Sequence, residues 1–280
     1  MSGIIGIAST HNTVPGLLHS LQHMEQANHN SCGLVVHGRQ GPTTCPPRLH
    51  RHRRTQRPSA WIEHMAQSGL AGLARLNGLQ GLVGMGHTGQ AGANGPQIVA
   101  HPLQHALPQM SHGPDAGLNS PARVALVLHG QVHASPALRE ALRERGYHFT
   151  NPSDAELLAH LIDATYQNDP VQAVRRALGL LTGAMAVGVM FHDQPHRLIA
   201  AHSGVPLWLG CHGHTHCVTS TLTCLRDLAC EVIALSEGDV VDLQHDHIAI
   251  TDRQAQPVQR PLQRANGPGG GPRGSPADAQ

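Results

Sequence analysis

The second half of the chain contains seven short apolar runs, which constrain the fold more than any other feature. They are separated by turn residues at the spacing typical of β-hairpins. The runs span 184–191, 197–201, 206–209, 217–220, 232–235, 239–243 and 247–251. Because hairpins join antiparallel strands, this pattern predicts an α+β architecture with antiparallel sheets in preference to a doubly wound parallel sheet.

Helix signals lie before these runs. Ser135-Pro136 begins a helix that ends at Gly146, since serine is a favoured N-cap and proline a favoured first residue. Ser153 begins another helix through a capping box with Glu156. Asp169-Pro170 ends that helix, and a further helix is predicted over 171–181.

The first half of the chain gives weaker signals. Apolar patterns predict strands and helices that alternate irregularly along it. The strands are predicted at 3–8, 33–36, 82–86 and 124–128, and the helices near 17–24 and 62–73. Residues 38–58 are rich in proline and arginine and are predicted to be mostly loop, while 96–121 carries no clear element.

Composition excludes several classes of function. All 19 basic residues are arginine, which excludes Walker-type phosphate loops and pyridoxal enzymes because both need a lysine. A net charge of +1 and two residues each of Phe, Tyr and Trp argue against nucleic-acid binding. The longest mostly apolar stretch, 178–191, is too short to span a bilayer, and the N-terminus lacks signal-peptide features. We therefore expect a cytoplasmic protein with free cysteine thiols that binds neither nucleic acid nor membrane.

Ten short blocks follow one another along the chain in a recognisable order. They are Ser2-Gly3-Ile4-Ile5-Gly6, Asn30-Ser31-Cys32-Gly33-Leu34, Gly86-His87-Thr88, Ala100-His101-Pro102, LHGQV at 128–132, LREALRERGYHF at 138–149, SDAELLAHL at 153–161, Gly183-Ala184, AHSGVPL at 201–207 and Glu237-Gly238-Asp239. Taken in this order, the blocks resemble the class II glutamine amidotransferases, in particular the glutaminase domain of glucosamine-6-phosphate synthase. Each block is short, but their shared order makes the resemblance specific.

The resemblance implies an N-terminal-nucleophile fold, a four-layer αββα sandwich with antiparallel sheets. It covers a domain that we place at 1–252, followed by a Pro- and Gly-rich tail at 253–280 that is predicted to be disordered. The tail is too short for the sugar-isomerase domains of that synthase. The resemblance therefore implies that any ammonia released passes to a separate acceptor subunit.

In this family a cysteine after the initiator Met attacks the amide of glutamine, with its own α-amine as base. Here the matching position holds Ser2. Gly130 matches the glycine whose N–H binds the oxyanion, and His129 replaces the asparagine that assists it. Asp154 matches the carboxylate that binds the substrate amine, whereas Gly89 replaces the arginine that binds the substrate carboxylate. Further departures are Ala27, Gln90, Gly92 and Ala93.

These substitutions predict a catalytically degenerate glutaminase. Loss of an oxyanion donor raises the barrier by roughly 3–4 kcal/mol, and loss of a charge-assisted arginine contact weakens binding by roughly 2–3 kcal/mol. The expected ligand is glutamine or another amine-bearing small molecule. Two alternatives stay open: a non-catalytic binding or regulatory subunit, and an N-terminal-serine amidohydrolase acting on another amide.

The segment Cys211-His212-Gly213-His214-Thr215-His216-Cys217 contains thiolate and imidazole ligands at a spacing that suits Zn²⁺, Ni²⁺ or Cu²⁺. However, it lies where a hairpin is predicted, so alternate residues point to opposite faces. Histidines are also frequent throughout this chain, with 24 in all. We therefore predict neither a metal site nor a cofactor.

Overall fold

The computed structural model describes residues 2–40, 47–67, 79–90, 109–114, 121–150 and 152–264. Two antiparallel sheets dominate this part of the chain. One sheet has eight strands and the other has six. The predicted antiparallel α+β architecture is therefore confirmed.

The strands of each sheet come from distant parts of the chain. The eight-stranded sheet comprises β1 Gly3–Ser9, β2 Ser31–Gln40, β3 Arg48–Arg54, β4 Leu79–Gly89, β9 Trp208–His212, β10 Thr215–Thr219, β11 Glu231–Ala234 and β14 Leu262–Arg264. The six-stranded sheet comprises β5 Gln109–Ser111, β6 Val124–Gly130, β7 Met185–Phe191, β8 Leu198–Ser203, β12 Val240–Leu243 and β13 Ile248–Thr251. The order of the strands is β14-β11-β9-β10-β1-β4-β2-β3 in the larger sheet and β13-β12-β8-β7-β6-β5 in the smaller one.

Helices cover the outer face of each sheet. The described helices are α1 Val14–His23, α2 Pro58–Gln67, α3 Pro136–Glu144, α4 Asp154–Thr165 and α5 Pro170–Leu178. One apolar core joins α1 and α2 to the eight-stranded sheet, a second fills the space between the sheets, and a third joins the six-stranded sheet to α3, α4 and α5. These layers form the αββα sandwich that the resemblance implies.

The helix starts follow the capping signals of the sequence. The Ser135 side chain accepts a hydrogen bond from the Leu138 N–H at 3.3 Å, and Ser153 accepts one from the Glu156 N–H at 3.2 Å. Asp169 caps α5 in the same way. Each cap satisfies a backbone donor that the first turn of a helix leaves unpaired. None of the described helices is long and apolar enough to cross a membrane.

Two predictions made from the first half of the chain are wrong. Residues 48–54, predicted to be loop, form β3, and residues 109–111, for which no element was predicted, form β5. Both strands exist because they pair with a longer neighbour, β2 and β6 respectively. Neither segment contains the continuous apolar run by which the other strands were identified.

The described residues also continue past 252, the predicted boundary between the domain and its tail. Residues 262–264 pair with β11 as strand β14. Arg260 donates two hydrogen bonds to the carboxylate of Asp239, at 2.6 and 2.8 Å. This paired guanidinium and the added strand hold residues 253–264 against the domain, whereas 265–280 lie outside the described residues.

Candidate active site

The site lies between the two sheets, where β1 begins and its neighbour β4 ends. Antiparallel register places Ile4 opposite His87, His87 opposite Gly33, and Gly33 opposite Arg53. Directly opposed residues share a face of a sheet. Because Ile4 packs in the core between the two sheets, this whole row faces the six-stranded sheet.

Ser2 lies beside this row, next to Gly89. A Cβ atom added at Gly89 would lie 2.9 Å from Cβ of Ser2 and 3.0 Å from Cε1 of His87. Both distances are shorter than contacts between carbon atoms in folded proteins. Ser2 and the ring of His87 therefore occupy the space that the Cβ of an arginine at position 89 would need.

Three histidines cluster around this position. Burial, helped by the neighbouring His129 and His29, lowers the pKa of His87 to about 3. Burial also lowers the pKa of His129, as does the neighbouring His29. His29 lies beside Thr88, with 3.0 Å between its Nδ1 and Oγ1 of Thr88. His87 is therefore neutral at physiological pH, and the environment of His129 favours its neutral form as well.

His129 reaches the site from the six-stranded sheet. Ala125 and Val127 pack in the core between the sheets, and the period of two along β6 places His129 on the same face. Within the described part of the chain, Nδ1 of His129 and Nδ1 of His87 are buried without a hydrogen-bond partner. Such orphaned nitrogens can accept or donate one bond to a polar ligand without further desolvation.

Gly130 ends β6 in a conformation that only glycine adopts readily, with φ at +99°. A Cβ at this position would lie 2.1 Å from the carbonyl oxygen of Ala184. That oxygen accepts a hydrogen bond from the N–H of Gln131 at 2.8 Å. The glycine matched to the oxyanion position of the family is therefore required by the local backbone as well.

Asp154 begins α4, and its carboxylate lies close to an arginine. Nη2 of Arg139 is 3.5 Å from Oδ1 of Asp154 and donates a shorter bond, 2.9 Å, to the carbonyl of Pro152. The Arg139 guanidinium also lies over the ring of Phe149. A ligand amine at Asp154 would share the carboxylate with this guanidinium, so the predicted amine-binding role remains a proposal.

Two arginines of β3, which sequence reasoning assigned to a solvated loop, face the same space between the sheets. Arg51 is opposite Val35 and Arg53 is opposite Gly33. Burial and the nearby Arg53 lower the pKa of Arg51 to about 10, while the charge of Glu156 opposes this shift. Burial likewise lowers the pKa of Arg53. Two partly desolvated guanidinium groups side by side attract anions.

The segment 211–217 does not converge on one point. It forms β9, a turn and β10, with Cys211 opposite His216. Cys217 packs in the core under α1, whereas Cys211 packs against the core between the sheets. The two thiols therefore lie on opposite faces of the sheet. The positions of Gly92 and Ala93, two of the family departures, lie outside the described residues.

Comparisons with known proteins agree with this geometry. Residues 103–227 match the family model of the glutamine amidotransferase domain. Glutamine–fructose-6-phosphate aminotransferase (isomerizing) of Bordetella pertussis is 31% identical over 260 residues, covering 93% of this chain and 38% of that protein. The enzyme of the same name from Thermus thermophilus is 33% identical with the same coverage. The chain thus spans about 38% of the length of these relatives.

Solved structures show the same fold. Glutamine phosphoribosylpyrophosphate amidotransferase from B. subtilis superposes with a TM-score of 0.65 at 19% identity, covering 90% of this chain and 49% of that one. A glutamine aminotransferase class-II domain protein from Silicibacter pomeroyi superposes with a TM-score of 0.51 at 14% identity, covering 92% of this chain and all of that one. Fold, sequence match and the collinear blocks agree: this chain carries a class II glutamine amidotransferase domain with the N-terminal-nucleophile fold.

Proposed function

We propose that this domain is a catalytically degenerate glutaminase, which releases ammonia from glutamine slowly through the hydroxyl of Ser2. The space at Gly89 supports this proposal. Ser2 and His87 fill the volume from which an arginine would reach the carboxylate of glutamine. The substrate is then held less firmly, and a serine is harder to deprotonate than a cysteine.

Ammonia release from glutamine tests the proposal, using protein with a native N-terminus whose processing is verified by intact mass. We expect slow release by the native protein, none by Ser2→Ala and faster release by Ser2→Cys, because a thiol is the better nucleophile. Release that persists in Ser2→Ala would contradict the assignment of the nucleophile. Silence of all three proteins would favour the non-catalytic binding subunit.

We also propose that Arg53 has taken over recognition of the substrate carboxylate. Neighbouring strands are about 4.8 Å apart, so the backbone of Arg53 lies roughly 10 Å from that of His87, within reach of a long side chain. Gly33 lies between the two and adds no side chain to the row. With Arg51, Arg53 would thus supply the positive charge that Gly89 lacks, while the charge of Glu156 also acts on both guanidinium groups.

Replacing Arg53 with glutamine is expected to weaken glutamine binding about tenfold, because a charge-assisted hydrogen bond is lost. Calorimetric titration of glutamine into a Ser2→Ala background measures the dissociation constant without turnover. Arg54→Gln is the matched control, since Arg54 lies on the other face of β3, over the ring of Trp61. Equal effects of the two variants would reject a specific role for Arg53.

An amidohydrolase that acts on another amide is the second candidate function. The buried Nδ1 atoms of His87 and His129 favour it, because they offer hydrogen bonds that a different amide substrate could satisfy. A hydroxyl nucleophile at Ser2 and the turn at Gly130 are compatible with either substrate. For the ammonia released, we propose a separate acceptor subunit, and we propose the cytoplasm as the site of action.

A further inference from the structure

The geometry points to a zinc-binding site formed by His19, His23 and Asp227, on the outer face of α1 and apart from the Ser2 site. Nε2 of His19 is 3.3 Å from Oδ2 of Asp227, and Nε2 of His23 is 3.7 Å from the same oxygen. Ligand atoms of the three residues all lie within 4.8 Å of one another. In the described part of the chain, no other set of three such side chains converges in this way.

These separations fit the coordination sphere of zinc. Zn²⁺ binds histidine nitrogen and carboxylate oxygen at about 2.0–2.2 Å, usually in a tetrahedron, so neighbouring ligand atoms lie roughly 3.4 Å apart. The His19–Asp227 and His23–Asp227 distances are close to this value. Imidazole ligands favour Zn²⁺ over Mg²⁺ or Ca²⁺, which prefer oxygen.

Helix geometry places the two imidazoles together. Residues four apart lie on the same face of a helix, one turn above the other. His19 and His23 are in this relation near the end of α1, and their ring centroids are 4.4 Å apart. The side chains are 50% and 43% exposed, and that of Asp227 is 57% exposed. A metal ion can therefore enter from solvent, and a water molecule can complete the tetrahedron.

The third ligand is positioned by a packed segment. Asp227 follows a short 3₁₀ helix at Leu222–Leu225, and the N–H of Leu228 bonds back to the carbonyl of Leu225 at 3.2 Å. The Cys224 thiol, buried in the core under α1, donates to the carbonyl of Ser20 at 3.7 Å. These contacts hold Asp227 beside α1 in the absence of the ion, which lowers the entropic cost of assembling the site.

Bound zinc would link two segments that are 208 residues apart in sequence. It would tie α1 to the chain that follows β10. An ion that binds the folded state and not the unfolded chain stabilises the fold in proportion to the logarithm of its concentration. Bound zinc would therefore hold α1 more firmly against the eight-stranded sheet, whose strand β1 follows Ser2. It would take no part in the chemistry at Ser2.

Calorimetric titration of ZnCl₂ into tag-free, EDTA-treated protein tests the site. We expect one ion per chain, an affinity at least about tenfold lower in each of His19→Gln, His23→Gln and Asp227→Asn, and a zinc-dependent rise in the thermal unfolding midpoint that these variants lose. Because the three side chains are exposed, the variants are expected to fold, and circular dichroism verifies that they do.

His214→Gln is the matched control, since His214 is exposed in the turn of the Cys211–Cys217 segment. It should leave zinc affinity unchanged. Three results would each overturn the proposal. They are loss of zinc binding in His214→Gln, zinc binding by the His19 and His23 variants as tight as that of the native protein, and no stoichiometric zinc binding by the native protein. Ser2→Ala should bind zinc normally, so the outcome is independent of the proposed glutaminase function.

Discussion

Replacing Gly130 with alanine is expected to destabilise the protein by at least about 3 kcal/mol and to abolish any amide hydrolysis. The positive φ of Gly130 costs an alanine about 1–2 kcal/mol on its own. The added Cβ would also lie 2.1 Å from the carbonyl oxygen of Ala184. The backbone must shift to relieve this clash, which strains the hydrogen bond between Gln131 and Ala184 and moves the N–H that would bind an oxyanion. Urea unfolding measures the loss of stability.

Gly213→Ala separates the two causes. Gly213 also has a positive φ, +56°, but a Cβ there would meet no heavy atom within 4 Å. This variant should lose only about 1 kcal/mol, the conformational part of the penalty. If Gly130→Ala were no less stable than Gly213→Ala, the close approach to Ala184 would not be a constraint on the sequence.

Acidification is expected to destabilise the native protein steeply between pH 6.5 and pH 3, and His87 contributes strongly to that loss. Its pKa is about 3 in the folded state and 6.5 in the unfolded chain. Between these two pH values the imidazole of His87 binds a proton in the unfolded chain but not in the folded state. The contribution of neutral His87 to the free energy of unfolding is therefore complete above pH 6.5 and is lost as the pH falls. At pH 5 the contribution of this one group is about 2 kcal/mol.

His87→Gln removes the titrating group and tests this contribution. The stability difference between pH 7.5 and pH 5, from urea unfolding curves, should shrink by about 2 kcal/mol in the variant, whatever its stability at pH 7.5. His247→Gln, at an exposed position, should keep the pH dependence of the native protein. If the stability difference between pH 7.5 and pH 5 were the same in His87→Gln as in the native protein, the imidazole of His87 would bind its proton as readily in the folded state as in the unfolded chain.

Local signals in the sequence predicted the helices well. The caps at Ser135 and Ser153 depend on residues within one turn, so each start could be assigned without knowing the fold. Asp169-Pro170 was predicted to end α4, whereas α4 ends at Thr165 and Asp169 caps the next helix, α5. Strand β3 was missed for the opposite reason. Its alternating Arg and His residues become a strand only through pairing with β2, and that pairing is a tertiary interaction that no local pattern encodes.

The candidate site was predictable only in part. The resemblance identified Ser2, Gly130 and the departures at Gly89 and His129, because these match positions in collinear blocks. It gave no role to Arg53, since its direction depends on the register of β3. His19 and His23 carried a readable signal, the spacing of four on a helix, but Asp227 meets them only after the chain returns along β10 to pair with β1.

The two edge strands of the eight-stranded sheet, β14 and β3, oppose the addition of a further strand in different ways. At one edge lies β14, a strand of three residues that pairs with β11. At the other, in the part of the chain that the structure describes, β3 presents arginines at Arg48, Arg51, Arg53 and Arg54. A strand from a second copy would find only three residues to pair with at β14, and at a second copy of β3 it would bring two rows of positive charge together; both arrangements are unfavourable. We therefore expect the arginine-rich strand β3 to disfavour edge-to-edge aggregation, whether or not Ser2 performs catalysis.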